Sequence, residues 1–274
     1  MLLRDRLLAR MAEMGGAVDH QRLAAEVLGV KNAPPQLARA LVSQALVIED
    51  RRDAWRRAGE RIAAAAPTTP GVYVIRDSAG AALYVGKAIN LKRRLRAHFA
   101  ARRWRGLKAD LARAADAEWQ EVGSELEALL REAELIHQLA PIVNVQIGPP
   151  DPETRETPAA LVRDVIVVVP SIETDSVELV AARADGAWMM QRTRRNGADL
   201  AVHTSRLMRF FHSPLRRKFE SAPLAPIVFS WLAQRGAGAS RIDPHDARDV
   251  RELRRRLAAL VADAELFTER IVVR

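Results

Sequence analysis

Two tyrosines and two basic side chains lie close together between residues 70 and 100. Tyr73 and Tyr84 flank the turn sequence Asp77-Ser78-Ala79-Gly80, which predicts a β-hairpin with one tyrosine on each strand. Arg94 and His98 follow on a predicted helix, and their spacing of four residues places them on one face of it. Phenol, guanidinium and imidazole groups in such an arrangement could bind an anion and transfer protons.

A later predicted helix carries four glutamates that could bind a hard cation. The helix begins after Ser124, which has the spacing of a capping box with Glu127. Its apolar stripe is bordered by Glu125 and Glu132 on one side and by Glu127 and Glu134 on the other. Helical periodicity alone does not choose among the four carboxylates.

The first sixty residues predict three helices followed by a hairpin. Helical periodicity and caps indicate helices at Leu2–Met14, from Asp19 to about Leu28, and at Gln36–Gln44. The hairpin is predicted from Leu46-Val47-Ile48, the charged turn Glu49–Asp53, and Ala54-Trp55-Arg56. We therefore expect residues 1–60 to form a winged helix-turn-helix-like unit. Four arginines of the wing could contact DNA phosphates, or the unit could only pack against its neighbour. They are Arg51, Arg52, Arg56 and Arg57.

A proline-rich polar stretch, residues 148–154, predicts a linker. Beyond it we expect a C-terminal α+β domain at residues 158–274. Its hairpin is predicted from Val177–Ala182 and Ala187–Thr193 on either side of Asp185-Gly186. The other predicted elements are strands at Val165–Val169 and Ile271–Val273 and helices at about Ala198–Phe211, Ala225–Gln234 and Ala247–Ala264.

Composition limits the class of protein and of metal site. Of the 274 residues, 49% are hydrophobic and 28% charged, which is typical of a folded globular protein. The absence of cysteine excludes disulfides and thiolate zinc sites. The net charge of +9 favours a polyanion such as nucleic acid as the partner. With no apolar run long enough to span a bilayer and no signal-like amino terminus, we expect a soluble cytoplasmic protein without a membrane partner.

Five short motifs in order resemble the GIY-YIG nuclease family, in particular the domain of the bacterial UvrABC excinuclease C subunit. The resemblance covers less than a third of the chain, roughly Pro67 to Ile147, and the domain is expected at residues 67–147. The motifs are Gly-Val-Tyr, Tyr-Val-Gly-Lys-Ala, Leu-x-x-Arg-Leu-Arg, Glu-x-Glu-Ala-Leu-Leu-x-Glu-Ala-x-Leu-Ile and Pro-x-x-Asn-Val.

The resemblance implies a role for each matching residue. It places the metal-ligand glutamate at Glu132 and the catalytic arginine at Arg94. Where the excinuclease often has a tyrosine one helical turn after the arginine, this chain has His98, whose imidazole can make similar hydrogen bonds. The other positions matching the family are the tyrosines Tyr73 and Tyr84, Lys87, and the structural residues Gly71, Gly86 and Asn144.

Together with the predicted elements on either side, the resemblance implies a mixed α/β (α+β) chain with the activity of a metal-dependent DNA endonuclease. Such an enzyme would hydrolyse phosphodiester bonds with Mg²⁺ or Mn²⁺ and no nucleotide cofactor. Tyr84 is favoured as general base, with Tyr73 orienting the water, although the sequence does not decide between them. A basic run flanking the site is expected to bind DNA phosphates. It comprises Arg93, Arg96, Arg102, Arg103 and Arg105.

Two other interpretations remain open on the sequence alone. One is a DNA-binding accessory protein whose nuclease core is inactive, and the other is a restriction or mobile-element endonuclease. An arrangement of winged-helix-like unit and GIY-YIG domain also resembles part of bacterial proteins that carry a polymerase III epsilon-type exonuclease. We expect a single incision in DNA repair, with other repair or replication proteins as candidate partners.

Overall fold

The computed structural model describes residues 3–15, 18–100, 109–147, 158–212, 223–234 and 238–263. Within these ranges the chain has the mixed helical and sheet composition expected from the sequence, with two antiparallel sheets. None of the described helices combines the length and the apolar character needed to cross a membrane.

The amino-terminal helices form a small core of their own. It contains the buried side chains of Leu7, Leu23 and Val42. As the sequence predicts, Asp19 caps the second helix, and its carboxylate accepts a hydrogen bond from the backbone amide of Arg22 at 3.0 Å. The helices are α1 (Leu3–Glu13), α2 (His20–Glu26), α3 (Pro35–Asp50) and α4 (Arg52–Ala65).

The predicted β-hairpin wing is wrong. Leu46-Val47-Ile48 continues helix α3, and Ala54-Trp55-Arg56 lies in helix α4. Val42, Ala45 and Leu46 have the i, i+3, i+4 spacing of one helical face, and they pack in the core of the three-helix unit. This burial outweighs the β propensity of the short apolar run. The basic residues assigned to the wing therefore lie on or beside α4.

Helix α4 packs against the central part of the chain and crosses the domain boundary expected at residue 60. Its buried face includes Trp55, Ala58 and Ile62, which share a hydrophobic cluster with Tyr73 and Leu95. The core that supports the tyrosine hairpin therefore begins before residue 60.

The elements of the central part of the chain are β1 (Gly71–Asp77), β2 (Ala82–Ala88), α5 (Leu91–His98), β3 (Ala114–Glu121), α6 (Glu125–Leu139) and α7 (Ile142–Ile147). The first sheet has the strand order β2-β1-β3 and is antiparallel throughout. Helices α4 and α5 contribute to the core on the face that carries Tyr73. Val72 faces the other way and shares a cluster with Ala128 of helix α6.

The elements of the C-terminal part are β4 (Val165–Pro170), β5 (Ser176–Ala182), β6 (Trp188–Arg194), α8 (Leu200–His212), α9 (Ala225–Gln234), β7 (Ser240–Ile242) and α10 (Val250–Ala262). The second sheet has the order β6-β5-β4-β7 and is also antiparallel. The predicted hairpin around Asp185-Gly186 is confirmed, since Ala182 pairs with Trp188. The expected strand at Ile271–Val273 lies outside the described residues.

Both faces of this second sheet are covered. Alternate residues of β4 point to opposite faces, as in any strand. Ile166 and Val168 pack with residues of α8 and α10, whereas Val167 and Val169 pack with residues of α9 and α6. Helix α6 thus contributes side chains to the core of the second sheet as well as to that of the first.

Candidate active site

The hairpin of β1 and β2 places the two tyrosines on one face of the first sheet. Tyr73 pairs with Gly86 and Ile75 pairs with Tyr84, so the tyrosines are diagonal neighbours. Their ring centroids are 6.1 Å apart. The turn is held by Asp77, whose carboxylate accepts hydrogen bonds from the backbone amides that follow it.

Gly86 is required by the close approach of these rings. A Cβ atom at this position would lie 2.6 Å from the Tyr73 hydroxyl oxygen and 2.9 Å from a ring carbon of Tyr84. Gly71 is constrained differently, because its Cβ would lie 2.5 Å from the carbonyl oxygen of Gln120 on β3. The sequence prediction that both glycines are structural therefore has a steric basis.

Helix α5 brings Arg94 and His98 to the tyrosines. Its N-cap is Asn90, whose side chain accepts a hydrogen bond from the backbone amide of Arg93 at 2.8 Å. Arg94 Nε donates to the Tyr73 hydroxyl at 3.3 Å, and the same hydroxyl lies 2.6 Å from Nε2 of His98. Because Arg94 is only a donor, the Tyr73 proton is available to His98 Nε2 when that nitrogen is unprotonated.

Tyr73 is fully buried, and Tyr84 is partly exposed. Burial, followed by the proximity of Tyr84, raises the pKa of Tyr73 above its ordinary value despite the opposing effect of Arg94. The buried hydroxyl is therefore held in its neutral form. The imidazole ring of His98 also packs near Tyr84, with ring centroids 5.3 Å apart.

Glu132 lies beside two cationic side chains. Burial raises the pKa of Glu132. The charge of Lys87, a hydrogen bond from the Lys87 backbone amide and the charge of Arg94 oppose this shift. The strand register explains the position of Lys87: it pairs with Val72, whose side chain faces helix α6. The structure thus brings Glu132, Lys87 and Arg94 together from three different elements.

The other three glutamates of α6 have different surroundings. Glu127 is buried and interacts electrostatically with Glu178 and Arg192 of the second sheet. Glu134 forms an ion pair with Arg131 at 3.4 Å. Glu125 is also buried. Of the four candidates that periodicity left open, Glu132 interacts electrostatically with Lys87 and Arg94.

Asn144 fixes the middle of strand β2. Its side-chain oxygen accepts from the backbone amide of Val85 at 2.8 Å, and its side-chain nitrogen donates to the carbonyl of the same residue at 3.0 Å. Val85 lies between Tyr84 and Gly86, on a strand at the edge of the sheet. Asn144 therefore takes the place of a neighbouring strand at this one residue.

The expected DNA-binding residues are described only in part. Arg93 and Arg96 are exposed on α5. Arg102, Arg103 and Arg105 lie outside the described residues.

Two close contacts near the site were missed by reasoning from the sequence. Gly59 of α4 lies against Phe99, the residue that follows His98, and Gly123, just before α6, lies against the backbone of Ser171. A glycine inside a helical pattern is a signal that could have indicated the first contact, since it often has a packing reason.

The central part of the chain is similar to known proteins. A family model described as the UvrC-like GIY-YIG domain matches residues 69–145. UvrABC system protein C of Desulforudis audaxviator is 43% identical over 79 residues, which are 29% of this chain and 13% of that protein. The corresponding protein of Paenarthrobacter aurescens is 47% identical over 81 residues, covering 29% of this chain and 12% of the relative.

A solved structure is also similar to part of the chain. It is the GIY-YIG N-terminal endonuclease domain of UvrC from Thermotoga maritima, bound to magnesium as its catalytic divalent cation. The match has 31% sequence identity and a TM-score of 0.27, and it covers 31% of this chain and 94% of that domain.

The aligned region spans only about an eighth of the curated relatives' length and does not include α1–α4 or the second sheet. Within it, the family model and the sequence identities agree with the motifs recognised in the sequence. Residues 69–145 are therefore a GIY-YIG endonuclease domain homologous to that of UvrC.

Proposed function

We propose that this chain is a metal-dependent DNA endonuclease that makes a single incision during DNA repair. The proposal rests mainly on one feature of the site. Glu132, Lys87 and Arg94 lie together, and they are next to the two neighbouring tyrosines, Tyr73 and Tyr84. Phosphodiester hydrolysis adds a water oxygen to phosphorus and breaks one P–O ester bond. The site contains the groups this reaction needs: a carboxylate, cations and hydroxyls.

Glu132 is suited to hold Mg²⁺ or Mn²⁺. In the part of the chain that the structure describes, no group of three or more His, Asp or Glu side chains could hold a metal. A single carboxylate is sufficient for magnesium, which keeps several waters and also binds phosphate oxygens. The upward shift in the pKa of Glu132 fits this role, because a desolvated carboxylate gains from a bound cation. When bound, the metal would supply Lewis-acid stabilisation of charge on the phosphate.

Arg94 is placed to bind the phosphoryl oxygens. Its guanidinium contacts both Tyr73 and Tyr84, and its remaining N–H groups can donate to a phosphate. Lys87 adds a second positive charge on the side of Glu132. Together these cations would neutralise charge that develops on the phosphate oxygens.

The tyrosines have different environments, which supports different roles for them. Tyr73 is buried, and its hydroxyl is hydrogen-bonded to His98 and Arg94, so it is suited to orienting the water. Tyr84 is partly exposed and contacts Arg94, which can stabilise a phenolate. We therefore assign the proton transfer from water to Tyr84.

We further propose that α1–α3 and the C-terminal α+β region act on substrate choice or on partner binding. Helix-turn-helix folds are also built on a small set of packed helices, and the net charge of the whole chain is +9. DNA is the proposed substrate and other repair proteins are the proposed partners. The accessory-protein alternative is disfavoured because each catalytic position holds a chemically competent residue.

Cleavage assays with magnesium or manganese test the proposal, using duplex, bubble, flap and lesion-bearing DNAs. Glu132→Gln should lower the cleavage rate by orders of magnitude while DNA binding persists, since only the carboxylate charge is removed. Glu134→Gln is the matched control and should cut normally. Likewise, Arg94→Ala should abolish cleavage, whereas Arg93→Ala should only weaken binding. A parent protein that cuts none of these DNAs, or a Glu132→Gln variant that cuts as well as the parent, would favour the accessory-protein alternative.

A further inference from the structure

We propose that both helices of the candidate active site are held in position by packing against parts of the chain outside the matched domain, with Gly59 and Gly123 as the positioning residues at these two contacts. Helix α4 holds α5, which carries Arg94 and His98. The second sheet holds α6, which carries Glu132. This inference rests on the proposed function only for its catalytic consequence, because the packing itself is a property of the fold.

The contact between α4 and α5 leaves no space for a side chain at residue 59. A Cβ atom on Gly59 would lie 2.3 Å from the Cβ atom of Phe99, a distance that real structures essentially never contain. The Phe99 ring also packs on Trp55, with centroids 5.2 Å apart. Phe99 directly follows His98, so any displacement of Phe99 is transmitted to the imidazole that hydrogen-bonds Tyr73.

The segment after α4 also fixes the start of α5. The backbone amide of Lys92 donates to the carbonyl of Pro67 at 2.8 Å, and that of Leu91 donates to the carbonyl of Thr69 at 3.0 Å. The first amides of a helix lack partners within the helix, so these bonds satisfy groups that otherwise need water or a cap. Helix α5 is thus held at its first turn by the segment after α4 and at its end by α4 itself.

The face of α6 that carries Leu126 and Leu130 belongs to the core of the second sheet. Both side chains are fully buried there, in a cluster that includes Val167 and Trp231. Leu130 is only two residues from Glu132, so the packing that fixes Leu130 also fixes the rotation of the helix at the proposed metal ligand.

Gly123 lies where the start of α6 meets the loop after β4. Its added Cβ atom would lie 2.1 Å from the carbonyl carbon of Ser171, which is backbone and cannot rotate away. The next residue, Ser124, is the N-cap of α6 and accepts from the amide of Glu127 at 3.1 Å. A side chain at residue 123 would therefore displace either the start of α6 or the loop after β4.

These contacts are expected to matter for catalysis because active-site geometry tolerates little displacement. A misplacement of about 1 Å can lower a rate by about 10²-fold. The family match begins at residue 69, after α4, and ends at residue 145, before the second sheet. In this chain the positions of α5 and α6 thus depend on α4 and on the second sheet, which the matched segment does not contain.

The test uses the full chain with Gly59→Ala and, as matched control, Glu60→Ala on the exposed side of the same helix. Gly59→Ala should lower the single-turnover rate by about 10²-fold with little change in DNA affinity. The control should cut like the parent. Since alanine favours helix more than glycine does, α4 itself should remain helical. If Gly59→Ala does not fold, Phe99→Leu replaces it, and the rate should again fall because the ring no longer packs on Trp55.

A second readout does not depend on cutting. The nitrogen-15 signal of His98 Nε2 reports its hydrogen bond with Tyr73, and it should shift in Gly59→Ala but not in Glu60→Ala. For α6, Gly123→Ala should weaken binding of Mn²⁺ alone, whereas Gln120→Ala, on an exposed position of β3, should not. Unchanged rates, His98 signals and Mn²⁺ affinity in the two glycine variants would overturn the inference. A parent that does not cut would instead count against the proposed function.

Discussion

The hydroxyl oxygen of Tyr73 lies 2.6 Å from Nε2 of His98, and this contact joins strand β1 to helix α5 inside the candidate active site. Arg94 Nε reaches the same hydroxyl at 3.3 Å. His98, where the family often has a tyrosine, is therefore a direct hydrogen-bond partner of the fully buried Tyr73 hydroxyl.

Replacing His98 should affect both stability and cutting. In His98→Ala, the buried Tyr73 hydroxyl loses an acceptor for its proton, so the free energy of unfolding should fall by about 1–3 kcal/mol. His98→Gln retains an amide that can accept this proton and should lose less. Denaturant unfolding and single-turnover cleavage measure the two effects, and equal stability of the alanine variant and the parent would contradict the assignment.

Gly86→Ala should impair cutting by displacing the tyrosines. The added methyl group would meet the Tyr73 hydroxyl oxygen at 2.6 Å, so at least one ring must move, and we expect a rate loss of about 10²-fold. Gly71→Ala is the comparison, because its methyl group meets the Gln120 carbonyl and should lower the unfolding midpoint. A Gly86→Ala variant with the parent's cleavage rate would show that the tyrosine pair tolerates displacement.

Asn144→Ala should destabilise the edge strand that carries Tyr84. It removes two hydrogen bonds to the Val85 backbone and leaves buried groups without partners, at a cost of about 1–3 kcal/mol in the free energy of unfolding. Urea unfolding checks the change, and Gln138→Ala, an exposed position on α6, serves as control. Hydrogen exchange at the Val85 amide should also accelerate. If this amide stays protected in the variant, Asn144 does not hold strand β2 in place.

Glu127 should make stability depend on pH. Burial raises its pKa from 4.5 to about 6, against the opposing hydrogen bond from the Gly123 amide, so the folded state binds its proton more tightly than the unfolded state. The stability that this group contributes is therefore present below about pH 4.5 and is lost as the pH rises through about 6, with a total of about 2 kcal/mol.

The matching variant is Glu127→Gln, which keeps an oxygen for the Gly123 amide and removes the buried charge. It should be more stable than the parent at pH 7 and should lack the decline between pH 4.5 and 6. Unfolding free energies measured across this range test the sign, with Glu134→Gln as control. A parent whose stability rises across that window, with no difference in Glu127→Gln, would refute the prediction.

DNA affinity should depend on salt through the exposed arginines of α5. Each arginine that neutralises a phosphate steepens the fall of log affinity with log salt by about 0.9, so replacing both Arg93 and Arg96 with alanine should make the slope shallower by about 2. Binding should weaken alike for all sequences. Arg76→Ala, which removes a residue of β1 paired with Glu118 of β3, is the control. An unchanged slope would exclude α5 from the surface that binds DNA.

Features that depend on near neighbours in the chain could be predicted from the residues alone. The Asp19 and Ser124 caps and the hairpin at Asp185-Gly186 were all predicted correctly, because each depends on residues within a few positions. The motif order also identified residues 69–145, since five short patterns at fixed spacing rarely coincide by chance.

Features that depend on contacts between distant segments required the folded chain. Periodicity placed Glu132 and Glu127 on opposite borders of one stripe, but only packing between two sheets determined that Glu132 approaches Lys87 and Glu127 is buried near Glu178. The apolar run at Leu46 was predicted as a strand, because a short apolar run does not by itself distinguish strand from helix, and packing with Leu7 and Leu23 made it helix. Burial is a property of contacts between distant segments, and a single sequence records which residues can be buried but not which surface covers them.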